Sequence, residues 1–153
     1  MNYEGQICRG PMERSSYMLP VAVGCSYNRC KFCTLFRHLK YRELPMEQIE
    51  AELERVRSLG GNPKHVFLGD GNAFGLATKR LLEITDLIHR YFPGCQAINM
   101  DGTITNIQAK SREELLALRK AGICHLYLGI ESGLDDVLRY MGKDHNLDQA
   151  YRQ

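Results

Sequence analysis

Three cysteines lie close together in the segment Gly24-Cys25-Ser26-Tyr27-Asn28-Arg29-Cys30-Lys31-Phe32-Cys33. A cubane iron–sulfur cluster has four irons, and each iron normally takes one cysteine thiolate. Three thiolates can therefore hold three corners and leave one iron open, as a catalytic zinc keeps one position open. An open iron can bind and activate a small molecule. The spacing of Cys25, Cys30 and Cys33 favours such a cluster.

Other chemistry is compatible with the same loop. Cys30-x-x-Cys33 alone is typical of zinc sites, and a fourth zinc ligand could come from His38 or Cys8, although neither has a familiar spacing. Cys30 and Cys33 could also form a redox dithiol. That motif normally lies at the start of a helix directly after a strand, with no third cysteine nearby, whereas Cys25 is close here. The main alternative is a small structural module in which zinc or an iron–sulfur cluster only staples a loop.

Composition is that of an ordinary globular domain: 153 residues, 44% hydrophobic and 25% charged, with a formal net charge of +2. This balance carries no specific nucleic-acid signal. No apolar run approaches the roughly 20 residues that span a bilayer, and no signal peptide is recognisable. We therefore expect a cytoplasmic protein with no membrane partner, whose cysteines stay reduced.

Four short apolar runs, each followed by a helical pattern, predict alternating strands and helices. The predicted strands are residues 19–24, 65–68, 96–100 and 125–130, and the predicted helices are 45–59, 78–91, 111–121 and 134–141, with another beginning near 146. Such alternation gives an α/β fold with a parallel sheet and right-handed crossovers. Active sites in such sheets lie beyond the C-terminal ends of the strands, where the cysteine loop and the polar segments after the later strands would meet.

The cysteine loop, the aromatic residue Phe32 before its last cysteine, and the later motifs together resemble the radical S-adenosylmethionine (SAM) superfamily from Leu19 onward. The resemblance implies a partial (β/α)6 TIM-like barrel, of which about four βα units are present. Residues 19–153 would form this core, which we expect to be truncated after the fourth unit, and residues 1–18 an N-terminal extension. The family spacing is three and then two residues between cysteines. Here it is four and then two, a variant loop that keeps all three ligands.

The resemblance also implies cofactors and their contacts. A [4Fe–4S] cluster on the three cysteines would reduce SAM to methionine and a 5′-deoxyadenosyl radical that abstracts hydrogen from a substrate. The electron donor would be a flavodoxin or ferredoxin. The turn after the second strand would receive the SAM amino group, and the end of the fourth strand its ribose or carboxylate. The implied SAM residues are Phe32, Gly69, Asp70, Gly71, Glu131 and Ser132.

Some of these residues, and other polar residues near them, also have a purely structural interpretation. Gly69-Asp70-Gly71 is compatible with a plain strand-to-helix turn, and Glu131 with stabilisation of the next helix N-terminus. Asn99, Asp101 and Thr103 either contact SAM or substrate or form an ordinary turn. The three remaining cysteines comprise Cys95 and Cys124, expected to be small buried hydrophobes, and Cys8, a weak metal-contact candidate. If strands follow chain order, the fourth has an unpaired edge that favours self-association.

Overall fold

The computed structural model of the protein describes residues 4–153. Within this range, the strands are β1 (Tyr17–Pro20), β2 (Ala22–Val23), β3 (Arg42–Glu43), β4 (His65–Gly69), β5 (Ala97–Gly102) and β6 (Ile123–Leu128). A four-stranded parallel sheet has the order β1-β4-β5-β6, and β2 pairs with β3 in a separate antiparallel ribbon. The predicted α/β class with a parallel sheet is confirmed.

The helices of the described residues are α1 (Met46–Ser58), α2 (Thr78–Tyr91), α3 (Ile104–Gln108), α4 (Arg112–Lys120), α5 (Asp135–Met141) and α6 (Leu147–Tyr151), with short 3₁₀ turns at Pro11–Glu13 and Ala73–Gly75. Apolar stripes such as Ile49 and Leu53 on α1 are buried against the sheet. Helix α4 begins with a capping box, in which Ser111 and Glu114 satisfy each other's backbone amides. In the described part of the chain, no helix has the length and apolarity needed to cross a bilayer.

The two faces of the parallel sheet differ in character. One face packs under the helices and includes Leu68 and Met100, which are fully buried. The opposite face, which we call the inner face, carries Phe67, Asn99 and Tyr127, and the rings of Phe67 and Tyr127 lie 6.0 Å apart. Because side chains alternate along each strand, these three residues point away from the face that packs under the helices.

The first predicted strand is wrong in its bounds. The chain leaves the parallel sheet at Val21, whose amide donates to the Gly69 carbonyl at 2.6 Å and whose carbonyl accepts from the Leu44 amide at 3.0 Å. The next two residues then pair with Arg42–Glu43. An uninterrupted apolar run hides this switch of partner. The consequence is functional, because the β2–β3 ribbon closes the base of the cysteine loop.

The third strand is longer than predicted. Asn99 and Asp101 lie within β5, where Asp101 is in register with Tyr127, and not in a turn after it. Thr103 instead caps the short helix α3 through Asn106, a helix that the periodicity did not predict. Five residues are too few to show a helical repeat, which explains why α3 was missed.

Candidate functional site

A cavity of about 270 Å³ opens where the parallel strands β4, β5 and β6 end. Its wall includes Cys25, Cys30 and Cys33 from the cysteine loop, Gly71 after β4, Asp101 on β5, and Glu131 and Lys143 on either side of α5. This is the edge at which the sequence placed the site. Strand ends or the loops after them position all of these residues except Lys143, which follows α5.

Hydrogen bonds hold the cysteine loop in a defined shape. The Arg37 guanidinium donates to the carbonyls of Cys30 and Cys33, each at 2.8 Å. The Tyr27 hydroxyl donates to the Gly142 carbonyl at 2.7 Å, and the Lys31 amide donates to the Met141 carbonyl at 2.8 Å. The first contacts order the Cys30–Cys33 turn, and the others dock the loop onto the end of α5.

The donor chemistry of the cavity suits an iron–sulfur cluster. Cys25, Cys30 and Cys33 are free and partly buried, and all three line the same wall. Burial raises the pKa of the Cys30 thiol, while nearby Lys143 acts in the opposite direction. Cubane clusters are normally bound by cysteine thiolates. His38, the histidine considered above as a zinc ligand, is not among the residues of 4–153 that line this cavity. Among residues 4–153, no three Cys, His, Asp or Glu side chains are grouped tightly enough for a single metal ion.

The turn after β4 touches the cysteine loop directly. A Cβ atom at Gly71 would lie 2.4 Å from the Phe36 ring and 3.0 Å from Cys25 Cβ, so glycine leaves the space that these two side chains occupy. The neighbouring Asn72 donates from Nδ2 to Ser26 Oγ at 2.8 Å. The β4 turn therefore helps to position the first cysteine, besides lining the cavity itself.

The other residues of that turn are placed differently. Gly69 ends β4, and Asp70 is buried with Oδ2 3.5 Å from the Gly24 amide. Burial raises the pKa of Asp70, although the Gly24 amide opposes this shift. Gly71 lines the cavity, whereas Gly69 and Asp70 are not among the residues of 4–153 that line it.

Beyond β6, Glu131 has a left-handed backbone with φ of 72°, which is uncommon for a residue with a side chain. Its Oε1 lies 3.6 Å from Lys143 Nζ, and that ammonium also lies 5.9 Å from the centre of the Phe32 ring. Only 7% of the Lys143 side chain is exposed. Ser132 is turned to the next helix, where its Oγ accepts from the Leu134 amide.

Lys143 was missed by sequence reasoning. The only signal was its place directly after Gly142, which ends α5 in the left-handed conformation and turns the chain back to the cavity. Its neighbour Asp144 also lines the cavity. Burial would raise the pKa of Asp144, but hydrogen bonds from His145, Thr105 and Thr103 hold it at about 2. The cavity therefore contains a fixed negative charge beside a buried ammonium.

The remaining candidates divide between the cavity and its surroundings. Asp101 and Thr103 line it, and burial together with nearby Glu13 raises the pKa of Asp101 to about 6. Asn99 instead donates to Glu13 Oε1 at 2.8 Å on the inner face. Cys95 and Cys124 are not part of the described wall, and of the two only Cys95 is buried.

Cys8 is brought to the cavity by the N-terminal segment. Cys8 is exposed as a residue, but partial burial of its thiol raises the pKa, and the neighbouring charges of Asp101, Cys33 and Asp70 act in the same direction. Cys8 thus lines the same cavity as the three cysteines of the loop. Sequence reasoning had only its residue type, because nothing in the spacing links Cys8 to Cys25 across the intervening strand.

Known proteins match both the sequence and the fold. The heme chaperone HemW of Bacillus subtilis (strain 168) is 26% identical over 129 residues, covering 83% of this chain and 34% of HemW. In structure, the chain is similar to coproporphyrinogen III oxidase (HemN) from Escherichia coli, described as a radical SAM enzyme, with a TM-score of 0.66 and 14% identity over 90% of this chain and 32% of that one. The chain thus spans about a third of the length of either protein.

The family match covers nearly all of the core. The model of the radical SAM superfamily matches residues 19–152, from β1 through α6. This range contains the three-cysteine loop and every strand of the parallel sheet except the start of β1. This match, together with the fold and the cavity, shows that the chain belongs to the radical SAM superfamily.

Proposed function

We propose that this chain is the core of a radical SAM enzyme in which Cys25, Cys30 and Cys33 hold a [4Fe–4S] cluster. The observation that carries the proposal is that the three thiols line one cavity together with Glu131 and Lys143 at the strand ends. When bound, the cluster supplies an electron that cleaves SAM reductively to methionine and a 5′-deoxyadenosyl radical. A flavodoxin or ferredoxin is the proposed electron donor, in a cytoplasmic setting.

The chain's own residues would bind and orient SAM. Lys143 presents a buried ammonium to the cavity, which suits the carboxylate of the SAM methionine part. Glu131 presents a carboxylate that can accept from ribose hydroxyls or from the SAM ammonium. Gly71 allows the backbone of the β4 turn to approach a ligand closely. The left-handed backbone of Glu131 supports this assignment, since such strain is concentrated at functional positions.

Anaerobic reconstitution with iron and sulfide tests the ligand set. We expect a broad absorbance at about 400 nm, from charge transfer between thiolate sulfur and iron. Cys30→Ala should abolish it, because two thiolates do not hold the cubane, and Cys95→Ala should leave it intact. A Cys30→Ala variant that binds iron as well as the parent would refute the assignment.

Electron paramagnetic resonance then tests the SAM site and separates an enzyme core from a structural metal module. SAM added to the reduced, reconstituted protein should change the spectrum of the cluster, since the open iron acquires new ligands. A colourless protein that contains zinc, or a spectrum unchanged at saturating SAM, would favour the structural module instead.

A further inference from the structure

Residues Glu4 to Glu13, which we call the N-terminal strap, run from the cysteine loop to β6. Near its start, Glu4 forms an ion pair with Arg42 on β3. The backbone of Gly5 lies against Leu39, since a Cβ atom there would be 2.9 Å from Leu39 Cδ1. Cys8, midway along the strap, lines the cavity that holds the three-cysteine loop.

The other end of the strap is fixed on the inner face. Gly10 packs against the Tyr127 ring, where a Cβ atom would be 3.5 Å from Cε1. The buried Glu13 carboxylate accepts from the Tyr127 hydroxyl at 2.6 Å and from Asn99 Nδ2 at 2.8 Å. Contacts on both sides of Cys8 therefore hold this residue at the cavity wall.

We propose that Cys8 is an exchangeable fourth ligand of the cluster: its thiolate occupies the open iron while SAM is absent, and SAM displaces it. The inference rests on the proposed function. In the exchange, one iron–sulfur bond forms as the Cys8 S–H bond breaks and its proton leaves to solvent. When SAM arrives, this iron–sulfur bond breaks, the SAM ammonium gives up one proton so that its amino nitrogen can bind together with the carboxylate, and the released Cys8 thiolate takes up a proton. No electrons are transferred in either direction.

Two observations favour this ligand role for Cys8 over a position on the cavity wall without any function. Four thiols line one cavity, which equals the number of irons in a cubane. In addition, tethering on both sides gives Cys8 a high effective concentration at the cavity, on the order of millimolar or above for short tethers. The exposed position of Cys8 leaves room for the thiol to withdraw when SAM binds. The ligand thus protects the open iron between catalytic cycles.

Alkylation by a maleimide, read for each cysteine by mass spectrometry, tests the proposal on the full chain. Three samples are compared: cluster-free protein, reconstituted protein, and reconstituted protein with saturating SAM. We expect Cys8 to react at least about tenfold more slowly once the cluster is present, because a metal-bound thiolate is a poor nucleophile. Its fast rate should return with SAM. Cys124, which is not part of the cavity wall, should react at one rate throughout.

Controlled oxidation with ferricyanide provides the second measurement. Without SAM, the parent and Cys124→Ser should keep four irons, whereas Cys8→Ser should lose the unprotected one and give a three-iron cluster. The proposal is overturned if Cys8 reacts equally fast with and without the cluster, if SAM does not release it, or if Cys8→Ser keeps its irons like the parent. Iron and sulfide assays on the same samples separate these results from a failure to form any cluster, which would overturn the proposed function as well.

Discussion

The ammonium of Lys143 lies 3.6 Å from the carboxylate of Glu131, on the wall of the cavity that also contains the cysteine loop. The Lys143 side chain is 7% exposed and that of Glu131 35% exposed, so the pair is partly shielded from water. A charged pair of this kind is complementary to a ligand that carries both an ammonium and a carboxylate. The methionine part of SAM is such a ligand.

Removing either charge should weaken SAM binding. We expect Lys143→Met and Glu131→Gln each to raise the SAM dissociation constant by at least about tenfold, since a charge-assisted contact contributes about 1.5–3 kcal/mol. Isothermal titration of the reconstituted protein measures this, and the iron content should stay at the parental value. Lys120→Met, an exposed change at the end of α4, is the matched control. Unaltered affinity in both site variants would contradict the SAM assignment.

Asp101 should make folding stability depend on pH. Its pKa is raised to about 6 in the folded protein, first by burial and then by nearby Glu13, whereas an unfolded aspartate has a pKa of about 3.9. The unfolded state therefore loses the proton first, and stability falls as the pH rises from about 4 to about 6. Asp101→Asn should not lose stability over this pH range, because asparagine does not ionise.

Urea unfolding of the cluster-free protein measures the effect. Asp101→Asn should equal the parent in stability near pH 4 and exceed it by about 2 kcal/mol at pH 7, from a shift of roughly two pKa units. A constant difference across this pH range would show that the Asp101 carboxyl is not perturbed as described.

Arg37 should act as a positioning residue for the cluster. Its guanidinium joins the carbonyls of Cys30 and Cys33, so Arg37→Met leaves the ligand turn less ordered. We expect the reconstituted variant to lose iron to a chelator about three- to tenfold faster, because each lost hydrogen bond costs about 0.5–1.5 kcal/mol. Arg57→Met, which removes an exposed arginine paired with Glu54 on α1, is the control. Equal rates of iron loss in the two variants would exclude the role.

The outer edge of β6 should promote self-association. Among residues 4–153, β6 pairs with β5 on one side and with no strand on the other, and the strap contacts the Tyr127 side chain without pairing. Open edges of this kind template further pairing. Sedimentation velocity should show association that grows with concentration and that Cys124→Lys on β6 reduces. Leu116→Lys places the same charge at an exposed position on α4 and should leave the association unchanged. A protein that stays monomeric at every concentration would argue against the edge contact.

Much of the fold and part of the site could be predicted from the sequence, because these features depend on local patterns. Apolar runs followed by helical patterns predicted a parallel α/β sheet, and the rule that sites lie at strand ends placed the cysteine loop with Glu131. The cysteine spacing alone indicated soft-metal chemistry. Each of these inferences needs only neighbours along the chain.

Only the tertiary structure decided which distant residues meet. The switch of partner at Val21 depends on carbonyl and amide groups far along the chain, so an apolar run could not reveal it. Cys8 reaches the cavity because Glu13 is anchored to Asn99 and Tyr127, a contact with no sequence periodicity. Lys143 becomes a site residue because Gly142 turns the chain back toward Glu131. Side chains that converge from separate elements share no local pattern, and the packing of those elements determines their distances.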